Sequence, residues 1–188
     1  MKHVRLLTPS LVCAAAIASS ACGGNQTKDP AGDAAKGGGP ASASKADLNA
    51  DGVPDVWTFF HTVEGKDVVV RKEYDVNFDG KVDIWRHYGS GGVVERDEMD
   101  MDFDGKVDVT GIYEAGKIVR KEVDLDFDQK PDLFKYYDDG ALIRIEGDSN
   151  NDGRIDYWEH YADGKLTRRG SDEDGDGEPD PDKWQQAE

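Results

Sequence analysis

Six stretches of this chain place side-chain oxygens at alternate positions and close with one more carboxylate, in the pattern D-x-[DN]-x-D-x-x-x-D. The donors at positions 1, 3, 5 and 9 are Asp47, Asn49, Asp51 and Asp55; Asp75, Asn77, Asp79 and Asp83; Asp100, Asp102, Asp104 and Asp108; Asp124, Asp126, Asp128 and Asp132; Asp148, Asn150, Asp152 and Asp156; and Asp172, Asp174, Asp176 and Asp180. Hard oxygen donors gathered around a tight turn are what a Ca²⁺ ion requires. Position 7 (Val53, Lys81, Lys106, Lys130, Arg154 and Glu178) varies in side chain, as a residue offering only its backbone carbonyl would. The repeats start 28, 25, 24, 24 and 24 residues apart, so one structural unit is stacked several times. The cofactor these residues call for is Ca²⁺, one ion per loop.

Position 6 is Gly in five loops, where the chain must turn tightly, and Gln129 in the fourth, which is expected to form but to bind more weakly. Position 12 lacks the bidentate Glu of an EF-hand: it is Thr58, Arg86, Gly111, Lys135, Glu159 and Lys183, so only the fifth loop fits. Paired helices therefore need not follow the loops. Only about six residues separate position 9 from the next Gly turn, too few for a stable helix. They include Trp57, Trp85, Phe134 and Trp158 at position 11, and Phe60, Tyr88, Tyr113, Tyr137 and Tyr161 at position 14. Turns such as Asp139-Gly140 and Asp163-Gly164 follow, a strong hairpin signal.

A second run then returns, rich in β-branched residues. Counted back from the next loop, place −6 is Val, Ile or Leu, place −4 is always Arg, and place −2 is Glu except at Gly170. Simple alternation puts these three places on one face, with Arg and Glu aligned in ladders across neighbouring repeats. Position 4 is Phe78, Phe103 and Phe127 in the middle loops, which suggests a stack of rings between neighbours. The expected fold is all-β: repeated hairpins in an antiparallel meander or elongated sheet, with the calcium loops along one edge, after a disordered N-terminal segment.

The first residues read as an address. A basic start, an apolar stretch from Leu6 to Ala18 and small residues before Cys22 make residues 1–21 a secretory signal, too short for a stable membrane span. Cys13 would leave with it, so Cys22 has no disulfide partner in the mature chain. Residues 22–46, rich in Gly, Ala and Ser, read as a flexible tether, and 47–184 as the six-loop domain. Ser19-Ser20-Ala21-Cys22 resembles the lipobox of bacterial lipoproteins, although Ser19 stands where Leu is usual. That resemblance implies lipidation at Cys22, a membrane anchor and a place in the cell envelope. Gly23, rather than Asp, after Cys22 implies the outer membrane.

Net charge is −17, and 21 of the 40 acidic residues occupy loop positions 1, 3, 5 and 9. Repulsion argues against nucleic acid as a partner. Six Ca²⁺ ions would add about 12 positive charges and relieve most of that self-repulsion. The loops resemble the calcium loops of FG-GAP and integrin-type repeats, which also manage without the position-12 Glu, and share the D-x-D-x-D-G core of thrombospondin type 3 repeats and dockerins; no family matches the whole chain. The resemblance implies calcium at positions 1, 3, 5, 7 and 9. No nucleophile–base constellation stands out, so an enzyme is not expected. The chain reads as a calcium-dependent structural or adhesive repeat, or alternatively as a module presenting its Trp and Tyr rows to an extracellular protein or glycan. Trp57, Trp85 and Trp158 sit just beyond their loops. They should sensitise the luminescence of bound Tb³⁺, and Ca²⁺ should abolish that signal by displacement.

Overall fold

The computed structural model describes residues 42–187. The expected signal, Cys22 and residues 23–41 of the expected tether lie outside them. Twelve strands follow one another, in chain order, in one open antiparallel sheet. They are β1 (Ser42–Ala46), β2 (Val56–Val63), β3 (Lys66–Tyr74), β4 (Ile84–Tyr88), β5 (Val94–Met99), β6 (Val109–Glu114), β7 (Lys117–Val123), β8 (Leu133–Asp138), β9 (Ala141–Gly147), β10 (Tyr157–Ala162), β11 (Lys165–Ser171) and β12 (Gln185–Gln186).

The acidic loops join β1 to β2, β3 to β4 and so on, so all six lie along one edge of the sheet, as the repeat pattern implies. The short turns lie along the other edge. In four of the five, both central residues have positive φ: Glu64 and Gly65, Ala115 and Gly116, Asp139 and Gly140, Asp163 and Gly164. That geometry matches the right-handed twist of the flanking strands. The last five residues of the expected tether form β1. Ser42–Ala46 pair along their length with β2, from Ser42 opposite Phe60 to Ala46 opposite Val56. All five are exposed, so the strand is held by backbone bonds and carries no apolar signal.

A β-bulge recurs at one place in every hairpin. Phe59 faces Arg71 but Phe60 faces Val69, which leaves Val70 unmatched. Glu95, Val119, Ile143 and Thr167 are skipped in the same way. The extra residue reverses the alternation. Place −6 therefore lies on the opposite face from places −4 and −2, contrary to simple alternation.

One face thus carries positions 11 and 13 with the Arg and Glu of places −4 and −2. Its ion pairs run along each strand: Arg71–Glu73 at 2.9 Å, Arg96–Glu98 at 2.6 Å, Arg120–Glu122 at 3.0 Å and Arg144–Glu146 at 3.1 Å. They do not form the cross-strand ladders expected, because Arg faces position 13 and Glu faces position 11. Arg71 and Arg144 instead lie over the rings of Phe59 and Tyr136, at 4.4 and 4.2 Å, a cation–π contact. Across the strands, His87 Nε2 lies 3.1 Å from Glu98 Oε2. At the far end Trp184 covers this face, edge-on to His160 and under Arg168. Gly170 replaces Glu there because a Cβ would meet the indole at 3.0 Å.

The second face carries positions 10, 12 and 14 with places −1, −3 and −6. Tyr157 and Tyr161 donate to Glu159 between them on this face. A single sheet leaves little apolar burial. Among the described residues Val123 and Trp158 are the buried hydrophobics, at 8% and 7% exposure. Buried more deeply are carboxylates: Asp55 and Asp83 at 1%, Asp75 and Asp100 at 2%. Asp83 accepts the N–H groups of Val76 and Asn77. Asp83→Ala should remove the partner of both donors at the buried Asp83 position, at a cost of about 2 kcal/mol. In thermal denaturation this should lower Tm by about 4–8 °C.

Candidate metal centre

Each loop is wired by its own carboxylates. The position-1 Asp accepts from the N–H of position 6: Gly52, Gly80, Gly105, Gln129, Gly153 and Gly177, at 2.7–2.8 Å. The side-chain oxygen of position 3 accepts from the N–H of position 5. Position 5 accepts in turn from position 7. Position 9 reaches back to the N–H of position 2, as Asp108 does to Met101 at 2.6 Å. Short polar side chains satisfying nearby backbone in this way replace a helix or ladder with a turn.

Neighbouring loops are tied to one another through backbone. The N–H of each position-9 Asp donates to the carbonyl just before its own loop, as Asp83 does to Tyr74. The N–H of the next position-1 Asp donates to that position-9 carbonyl: Asp75 to Asp55, Asp100 to Asp83, Asp124 to Asp108, Asp148 to Asp132 and Asp172 to Asp156, at 2.7–3.0 Å. The sheet's hydrogen bonding thus continues into the acidic edge. It brings positions 1 and 9 to the base of each loop, where both are buried in the second, third and fourth loops and half-buried in the fifth and sixth.

Two positions per loop need left-handed backbone. Position 6 has φ between 73° at Gln129 and 92° at Gly52. Position 4 also has positive φ, including 63°, 65° and 64° at Phe78, Phe103 and Phe127, a requirement that the identities at that position conceal. Those three rings are 49%, 42% and 41% exposed, so the expected stack does not bury them. Two strands separate successive loops, about 9.5 Å, beyond the reach of ring stacking. In the fifth loop Asn151 uses position 4 differently, donating to Asp126 of the fourth loop.

In three loops the carboxylates of positions 1, 3 and 9 converge: Asp100, Asp102 and Asp108; Asp124, Asp126 and Asp132; Asp172, Asp174 and Asp180. Within each group the oxygens lie within 4.8 Å of one another. Two oxygens bound at about 2.3–2.6 Å to one divalent ion lie at most about 5 Å apart, so the donor set fits a cation. Without one, a pair of charges at such a distance repels by about 1 kcal/mol in water and about 3–4 kcal/mol in a less polar setting. The strain registers on Asp126, whose carboxyl is pushed up by desolvation and by Asp132, Asp128 and Asp124, against one N–H from Asp128. Asp172 is instead held down, first by the Gly177 N–H.

The first, second and fifth loops carry Asn49, Asn77 and Asn150 at position 3, a neutral oxygen in the same role. Position 5 stands apart from the three converging groups. Asp104 and Asp128 are engaged by Lys106 and Lys130 of position 7, at 2.5 and 2.9 Å, and Asp79 by Lys81 at 3.6 Å. Position 12 cannot close any loop. In an extended strand it lies on the opposite face from position 9. Glu159, which made the fifth loop look the most complete, is spent on the hydroxyls of Tyr157 and Tyr161.

No family model and no curated protein matches this chain. It is similar to a portion of a crystal structure of accessory secretory protein 1, 2 and 3 in Streptococcus pneumoniae, at 16% identity and a TM-score of 0.36. The match covers 48% of this chain and 17% of that one, too slight a likeness to bear on fold or function.

Gln129 makes the same bond to Asp124 as the glycines do, at 2.7 Å, but from a left-handed backbone. Gln129→Gly should therefore stabilise the protein by about 1 kcal/mol. Chemical denaturation of the two forms should show the rise in midpoint.

Proposed function

We propose that this protein is a calcium-binding repeat lipoprotein of the bacterial envelope, with a structural or adhesive role. The observation that carries the reading is the convergence of three carboxylates at the base of the third, fourth and sixth loops. Calcium is favoured over other divalent ions because the donors are carboxylates and amides, without His or Cys, and because Ca²⁺ tolerates irregular oxygen shells. Extracellular calcium modules bind at about 10⁻⁴–10⁻³ M, so ordering of the acidic edge would follow the calcium of the surroundings. Lipidation of Cys22 and a tether after it would hold the sheet at a membrane surface.

Calorimetric titration should count calcium sites in the chain, and EDTA should lower Tm sharply. Zero stoichiometry with an unchanged Tm would leave the loops as acidic turns. Cys22→Ser should move the protein from the membrane fraction to the soluble fraction. If it stays with membranes, Cys22 is not the anchor.

A further inference from the structure

The two faces of the sheet differ in how their cations are compensated. On the first, Arg71, Arg96, Arg120 and Arg144 each have a Glu two residues on. On the second, a row that is charged except at Thr58, Gly111 and Ile145 crosses the sheet through position 12 and place −3. There Lys72 stands directly opposite Arg86, and Lys121 directly opposite Lys135. Like charges facing each other across two strands are destabilising. Among the described residues, Lys72, Lys121 and Lys135 make no ion pair or hydrogen bond.

The anions of this row are already engaged. Asp97 takes Arg86 at 3.3 Å and the Tyr113 hydroxyl at 2.8 Å, and Glu159 takes two tyrosines. Gly111, opposite Lys121, has no side chain to fill the space, and a Cβ there would meet Asp97. A second row runs parallel to the charged one on the same face. It alternates the position-14 aromatics with apolar residues of place −6, as in Tyr137 opposite Leu142 and Tyr113 opposite Ile118. Its aromatic residues recur every second strand, about 9.5 Å apart, over about 40 Å.

We propose that this face binds an acidic polysaccharide along the direction that crosses the strands. The pair Lys72/Arg86, in which Lys72 is left without a counter-ion while Arg86 keeps Asp97, and the uncompensated pair Lys121/Lys135 would take its carboxylate or sulfate groups, and the tyrosine row would lie against its sugar rings. The pairs sit four strands apart, about 19 Å, which suits a polymer of repeating charge better than a single small anion. Net negative charge elsewhere does not forbid this. The acidic loops begin three residues from the lysine row, about a Debye length away at physiological salt, so their repulsion is largely screened. The site is independent of which metal the loops hold.

The test is binding of a labelled dextran sulfate octasaccharide to the full chain, with neutral dextran of the same length alongside. The wild type should bind the sulfated sugar, and raised salt should weaken it. Lys121→Gln with Lys135→Gln should weaken binding at least tenfold, whereas Lys66→Gln with Lys165→Gln, at the turn edge, should leave it unchanged. Equal losses in both pairs, or no binding by the wild type, would overturn the proposal. So would loss-sensitive binding to phosphatidylcholine–phosphatidylglycerol vesicles in place of the sugar, which would identify a lipid surface. Thermal melting guards against misfolding: relief of the like-charge pair should leave the double variant at least as stable as the wild type. If it melts lower, Lys135→Arg decides the matter, because retention of the charge should retain binding and its loss there would sink the idea.

Discussion

Everything in this fold depends on carboxylates that accept backbone N–H groups at the base of each loop. In most small domains the deepest side chains are apolar. Here they are Asp55, Asp83, Asp75 and Asp100. A buried charge is costly unless it is hydrogen-bonded, and each of these has donors from its own loop. A lone antiparallel sheet offers two open faces and little apolar burial, so this polar edge does much of what a core would do. The same groups repel one another, a repulsion that a divalent cation held among them would relieve.

The loop also shows why its candidate donors differ in position from those of a helix-flanked site. After position 9 the chain enters a strand, and alternation sends position 12 to the far face. A carboxylate at position 9 closes the loop before that parity matters. Position 12 is then free to serve the sheet, which explains how Thr58, Arg86, Gly111, Lys135 and Glu159 can differ so widely. Gly111 and Gly170 extend the point: each gives space to a neighbour, Asp97 with Tyr113 in one case and Trp184 in the other.

Much of this was legible in the sequence, because the repeat shows its turns and strands in fixed places. Asp-Gly turns, β-branched returns and the 24-residue period led to the meander and its single acidic edge. What escaped has physical reasons. β1 is Ser-Ala-Ser-Lys-Ala, held by backbone alone, so no side-chain pattern marks it. The bulge at Val70 and its equivalents adds a residue without changing residue type, and so inverts the face assigned to place −6. Left-handed φ at Phe78, Phe103 and Phe127 was hidden because those residues looked like packing partners. In the candidate site, positions 1, 3 and 9 converge in the all-Asp loops. The Lys at position 7, read only as a carbonyl donor, turns out to engage position 5.

The linear strand order has a mechanical consequence. The described chain begins at one edge of the sheet and ends at the other, so tension applied through those ends runs across the strands and along the hydrogen bonds between them. Bonds loaded in this direction break in succession, not all at once. The sheet would then peel hairpin by hairpin from an end, each repeat of 24 residues releasing at most about 85 Å of slack. A chain built this way is an extensible strap whose extension is counted in repeats.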